Sequence, residues 1–297
     1  MKTSDNELSD EQKLFVKKVV RDPVLFATHV LGVDLWPREA EILRSIKNRS
    51  RTAIKACHGV GKTFTLAVAA LWWLARYPQG IVLTTSPTQR QVRTQLWTEI
   101  HRLVERAKIP YPRLKTTELK FRDDNNFAIG FSTNQAENFQ GYHGRYVLII
   151  ADEAPGIEAG IWDAVAGAMA GGVVHIVMAG NPTVPSGAFF DAFGKDRALW
   201  NCFTIGAFDS PNWTIAGTAS ANGSRGGRPL GRQPFPPLGD QALGSSGFKC
   251  VKGFGQGKHV RPPAEIHGQR HVGEQAIGIL LAASYLHRLG PPFELLV

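Results

Sequence analysis

The run Ala56-Cys57-His58-Gly59-Val60-Gly61-Lys62-Thr63 sets two glycines, a lysine and a hydroxyl side by side. That combination suits phosphate. Gly59 and Gly61 let the backbone curl until its N–H groups point at anionic oxygens. A helix starting at Lys62 adds about half a positive charge at the same point. Lys62 can then bridge the β- and γ-phosphates, and Thr63 can hold Mg2+ through its hydroxyl. The run ends as a Walker A loop ends, although Ala56 stands where that pattern has glycine. The alternative is a strand-to-helix turn that merely contains Gly-Lys-Thr, so the loop needs partners elsewhere in the chain.

One partner is Tyr146-Val147-Leu148-Ile149-Ile150-Ala151-Asp152-Glu153, an apolar run closed by two carboxylates. An Asp at a strand end beside a phosphate loop can hold Mg2+ with Thr63. The next carboxylate, Glu153, can accept a proton from the attacking water. The alternative is that both acids cap the following helix. Finding two parts of one mechanism in the right order favours the catalytic reading. A third piece is Val177-Met178-Ala179-Gly180-Asn181-Pro182. Ligands of a parallel sheet sit at the carboxyl ends of its strands. Asn181 is therefore expected to hydrogen-bond a γ-phosphate or the attacking water; a plain Gly-Asn-Pro turn is the alternative.

These groups need elements to hold them. Ser9 with Gln12 forms a capping box for a helix to about residue 20. Helices are predicted over 23–30, ended by Gly32, and over 37–46, with Pro37 in the first turn. A strand over 52–56 leads into the loop, and an apolar helix over 62–75 leads out. A strand over 80–85 and a long helix over 89–107 follow. Further strands are predicted over 127–132, 146–151 and 173–179. Strands without strict alternation, separated by helices, predict an α/β fold with a mainly parallel sheet covered on both faces.

The 297 residues allow one or two domains. With 43% hydrophobic and 20% charged residues, wholesale disorder is excluded. Lys and Arg number 34 against 25 acids, a net charge of +9, which favours a polyanionic partner without choosing one. Cys57, Cys202 and Cys250 are odd in number and widely spaced, which argues against a disulfide framework or a structural zinc site and fits a reducing cytoplasm. The polar start lacks a secretory signal, and no apolar run is long enough to span a bilayer, so no membrane is expected.

The composition breaks near Trp213. Residues 214–297 hold 15 of the 31 glycines and 8 of the 18 prolines, but only 4 of the 25 acids: Asp240, Glu265, Glu274 and Glu294. We therefore expect a domain over 1–213, helical over 1–50, and a poorly ordered basic tail over 214–297.

Taken in order, several segments resemble the large terminase subunits of tailed bacteriophages, ATPases that pump DNA into procapsids. They are Asp22-Pro23-Val24-Leu25-Phe26, Leu31-Gly32 and Trp36-Pro37; the phosphate loop; Thr85-Ser86-Pro87-Thr88-Gln89-Arg90-Gln91-Val92 with Leu96-Trp97-Thr98-Glu99-Ile100; Gln140-Gly141-Tyr142-His143-Gly144 before the Asp-Glu strand; Gly180-Asn181-Pro182-Thr183 with Gly187 and Phe190; and Phe208-Asp209-Ser210-Pro211-Asn212. The resemblance covers about residues 10–213. It implies a P-loop NTPase fold and ATP hydrolysis with Mg2+. It also implies double-stranded DNA, a portal protein and a small terminase subunit as partners, a homo-oligomeric ring, and the host cytoplasm. Carried over by position, His58, Gly59, Val60, Gly61, Lys62, Thr63 and Glu39 bind the nucleotide, Thr63 and Asp152 hold the metal, and Lys62, Glu153 and Asn181 serve catalysis.

The departures are specific. The family's adenine motif usually has Gln two positions after a Pro such as Pro37, where this chain has Glu39, and an ionised carboxylate cannot donate to a base. His58 replaces an Arg found in some members, which leaves Arg145 or a neighbouring subunit's Arg as the candidate arginine finger. The family's nuclease part needs clustered carboxylates; the scattered acids of 214–297 predict none, and the tail reads like a translation out of frame. A helicase-like NTPase, or a prophage remnant that only binds nucleotide, are the alternatives.

Overall fold

The computed structural model describes residues 9–132, 142, 144–168 and 171–210. Helix α1 (Asp10–Arg21) starts where Ser9 Oγ accepts the Gln12 N–H at 3.3 Å and Gln12 Oε1 accepts the Ser9 N–H at 2.8 Å. The Asp22 carboxylate accepts the N–H groups of Val24 and Leu25 and so begins α2 (Pro23–His29). Helix α3 (Pro37–Asn48) opens on Pro37, whose missing N–H costs nothing in a first turn.

Strand β1 (Arg51–Ala56) passes through residues 57–61 into α4 (Lys62–Arg76). Helix α4 is apolar nearly all round because it is covered on every side. It lies between the sheet and the N-terminal helices, with Trp72 and Trp73 fully buried. Their indole N–H groups donate to Val20 O at 3.0 Å and Tyr146 O at 3.4 Å, tying α4 to α1 and to the sheet. Strand β2 (Gly80–Ser86) is followed by α5 (Gln89–Gln91), a π-helical turn Val92–Leu96, and α6 (Trp97–Arg106). The single helix expected over 89–107 is thus interrupted by the π turn, which apolar periodicity alone does not reveal.

Strands β3 (Arg113–Leu114), β4 (Glu118–Lys120), β5 (Phe127–Ser132), β6 (Tyr146–Asp152), β7 (Val173–Gly180) and β8 (Asn201–Ile205) complete an eight-stranded sheet in the order β3-β4-β5-β2-β6-β7-β1-β8. All the predicted strands pair in parallel. The antiparallel β3 and β4, and the parallel edge strand β8, are absent from the sequence reading. β3 and β4 are too short to carry a pattern, and β8 lies at the sheet's edge, where its mostly exposed or half-buried side chains follow no period of two.

Both faces are covered, as expected. Helices α1 to α4, the π turn and α6 pack on one. On the other, Ile161 and Val165 of α7 (Ala159–Ala168) and Phe189 and Ala192 of α8 (Ala188–Ala192) join Leu83, Ile149, Ala151 and Met178. No helix among the described residues is long and apolar enough to cross a membrane. Residues 140, 141 and 143 of the segment before β6, Cys250 and the whole of 214–297 lie outside the described residues.

Candidate functional site

Strands β1, β2, β6 and β7 run parallel, so their carboxyl ends share one edge of the sheet. Cys57 N–H donates to Ile205 O at 3.2 Å, which extends β1 into the loop. Gly59 (φ 77°) and Gly61 (φ 84°) both take the left-handed conformation that side chains disfavour, the turn predicted from their type. Val60 between them is buried and anchors the loop, while His58 is exposed. The helical run resumes at once, with Thr65 N–H donating to Gly61 O at 2.9 Å.

Lys62 is buried, and its ammonium donates to Ala56 O at 3.2 Å and Cys57 O at 2.7 Å. Burial lowers its pKa, while the nearby charges of Glu153 and Asp152 pull it back up. Thr63 Oγ1 donates to Asp152 Oδ2 at 3.3 Å. Asp152 is fully buried; its other oxygen accepts the Glu153 N–H at 3.1 Å. Burial, then the charge of Glu153, push the Asp152 carboxyl up to about 6, against the Glu153 N–H, the Thr63 hydroxyl and Lys62.

Glu153 has φ 53° and ψ 42°, the one non-glycine residue with positive φ among those described. A left-handed Glu stores strain on the order of 1–3 kcal/mol, and such strain gathers at functional sites. The capping alternative for the two acids is not what forms. Asp152 ends a strand with its carboxylate toward Thr63, and Glu153 makes no side-chain cap bond to the short 3-10 turn Ala154–Gly156.

Asn181 directly follows β7. Asp152 pairs in register with Ala179 and Lys55 with Gly180, so Asn181 lies just beyond the level where loop and carboxylates meet. Gly180 has no room for a side chain. A Cβ there would run into the Pro155 ring, so the turn carrying Glu153 lies directly on the end of β7. Sequence reading missed this contact, and also the way Glu39 of α3 meets Gly61; a tertiary contact between distant segments leaves no mark in either one. Arg145 is not brought to the site within this chain. It precedes β6, whose seven residues put it about 20 Å from Asp152, and its guanidinium lies 5.4 Å from the Tyr146 ring centroid.

A hydroxyl and one carboxylate fit Mg2+, which prefers few protein ligands and keeps waters and phosphate oxygens as the rest. Among the described residues, no group of three or more His, Cys, Asp or Glu could hold a metal ion.

Comparison with known proteins finds similarity over the same part of the chain. Residues 54–170 match the family described as "Terminase large subunit, T4likevirus-type, N-terminal". The "Probable terminase, large subunit" of Enterobacteria phage P7 is 23% identical over 193 residues, 59% of this chain and 39% of that protein. The chain thus spans about two fifths of the length of that relative. The large terminase of a thermophilic bacteriophage, solved in complex with ATP-gamma-S, superposes with a TM-score of 0.51 at 12% identity, over 62% of this chain and 48% of that one. The large terminase ATPase domain of Thermus phage P74-26 gives a TM-score of 0.46 at 16% identity, over 65% and 89%. The segment from Ile54 to residue 170, which holds the phosphate loop and the Asp152–Glu153 strand end, is thus similar to the N-terminal part of large terminase subunits of the T4likevirus type.

Proposed function

We propose that this chain is the ATP-hydrolysing motor part of a phage or prophage DNA-packaging terminase. The observation that carries the proposal is the meeting of the phosphate loop with the end of β6, through Thr63 Oγ1 and Asp152 Oδ2. In this reading the loop from His58 to Thr63 and the α4 N-terminus receive the triphosphate of ATP. Lys62 exchanges its two carbonyl partners for phosphate oxygens and offsets their charge. Thr63 and Asp152 hold Mg2+, which neutralises charge on the phosphates when bound. Glu153, aimed by its left-handed backbone, accepts the proton of the attacking water. Asn181 orients that water or the γ-phosphate. Glu39 lines the nucleotide site from α3.

The partners follow from the same reading: double-stranded DNA, a portal protein, a small terminase subunit, and further copies of this chain in a ring, in the host cytoplasm. With Arg145 out of reach in cis, a neighbouring subunit supplies any arginine finger. We also propose the division at residue 213, with 1–213 as the ATPase domain and 214–297 as a basic tail without nuclease activity. ATP turnover of the purified chain, with and without double-stranded DNA, tests the motor reading. Turnover stimulated by DNA and lost in Lys62→Ala supports it; nucleotide binding without any turnover favours the prophage-remnant alternative.

A further inference from the structure

Glu39 is a carboxylic acid buried against the loop that receives phosphates. It is 6% exposed. Its Oε2 accepts the Trp36 N–H at 3.1 Å, its hydrogen bond within the N-terminal turn of α3. Its Oε1 faces Gly61: a Cβ built on that glycine would fall inside the Glu39 carboxyl. The carboxyl group thus stands where the loop turns into α4, two residues before Thr63.

Its charged surroundings are sparse. On the loop, Lys62 is held by Ala56 O and Cys57 O, and His58 is exposed. On α3, Arg38 pairs with Glu41, and Lys47 with Asp22 of the α2 cap. His175 of β7 bonds to Ile46 O. None of these is hydrogen-bonded or ion-paired to Glu39. Burial accordingly pushes the Glu39 carboxyl up to about 7, and only the Trp36 bonds pull the other way.

A triphosphate brings several negative charges to this loop. An ionised Glu39 would then be a buried like charge beside them, with no cation paired to it among the described residues. A neutral carboxyl has no such conflict. It keeps its acceptor for Trp36 and its packing against Gly61. We propose that Glu39 is a positioning residue of the phosphate loop that works as a neutral acid, so that binding a nucleoside di- or triphosphate draws a proton onto it. The inference rests on the nucleotide-site reading above and adds a proton to its binding reaction.

The sign follows directly. Above about pH 7 free Glu39 is ionised, so each binding event takes up a proton there. Affinity then falls with rising pH, by up to about tenfold per unit. Below that range the carboxyl is already neutral and the linkage vanishes.

The test is calorimetric titration of the full chain with ADP in two buffers of different ionisation enthalpy, from about pH 6 to about pH 8.5, for wild type and Glu39→Gln. The amide is isosteric and neutral, and it keeps an acceptor for Trp36. Proton exchange elsewhere in the site and on the ADP phosphates is common to both proteins and cancels in the difference. Near pH 8 the wild type is expected to take up close to one proton more than Glu39→Gln, and to lose affinity with pH more steeply. Equal proton counts with parallel affinity curves overturn the inference while leaving the nucleotide site intact. A folded wild type that binds no ADP at any pH overturns the site reading and this inference with it. The carboxyl carbon-13 shift of Glu39 in isotope-labelled wild type needs no substitution: its titration midpoint should rise when ADP is added, and an unmoved midpoint counts against the proposal.

Discussion

Thr63 Oγ1 and Asp152 Oδ2 stand 3.3 Å apart although 89 positions of chain separate them. The parallel pairing of β1, β7 and β6 brings them together, because it lines up the ends of the strands. Asp152 is buried at a cost in stability. Its folded-state pKa is raised from 3.8 to about 6, so the native state binds more protons than the unfolded state between those values. Stability therefore falls as pH climbs from about 4 to about 6, and stays lower above. Asp152→Asn removes that cost, and should be more stable than wild type at neutral pH by about 1–3 kcal/mol, with no gain near pH 4. Thermal melts without nucleotide at both pH values check this; a variant less stable at neutral pH contradicts it. The same variant should lose Mg2+-dependent hydrolysis.

Lys62→Ala is expected to lower kcat/KM for ATP by at least about a hundredfold, since it removes the cation held at the loop's mouth. Its fold should survive, because the change removes two hydrogen bonds, to Ala56 O and Cys57 O, and leaves the loop glycines and the start of α4 in place. Steady-state turnover with a circular-dichroism control decides; near-normal turnover would remove Lys62 from the site.

Glu153→Gln should bind nucleotide as wild type does but hydrolyse it about 10²–10⁴-fold more slowly, the usual contribution of a general base. Glu153→Gly separates chemistry from conformation. Glycine adopts φ 53° without strain, so this variant should be stabilised by about 1 kcal/mol and be just as inactive. A Gln variant that turns over at the wild-type rate would mean that another group is the base.

Gly180→Ala pushes a methyl group into the Pro155 ring and must shift the turn that carries Glu153. The expected outcome is a fall in kcat of about tenfold or more, roughly what a displacement of about 1 Å costs, with nucleotide affinity little changed. Single-turnover kinetics beside a binding titration read the two separately. An unchanged kcat would show that the turn tolerates displacement.

The sequence by itself determined the local parts. Two glycines before Lys62 announce a left-handed turn, and a long apolar run announces a helix buried on all sides. Apolar strands closing in Asp152-Glu153 and in Gly180-Asn181 announce a parallel sheet with polar groups at one end. Each of these is legible because backbone freedom and hydrophobic burial act over a few residues. Other features needed the folded chain. Strand order put Asp152 opposite Thr63 and left Arg145 at the far end of β6. Packing against Pro155 gave Gly180 its meaning. The approach of α3 to the loop turned Glu39 from a helix-start acid into a buried group facing Gly61, and raised its pKa. Burial and like-charge proximity depend on which distant segments meet, and only the tertiary structure decides that.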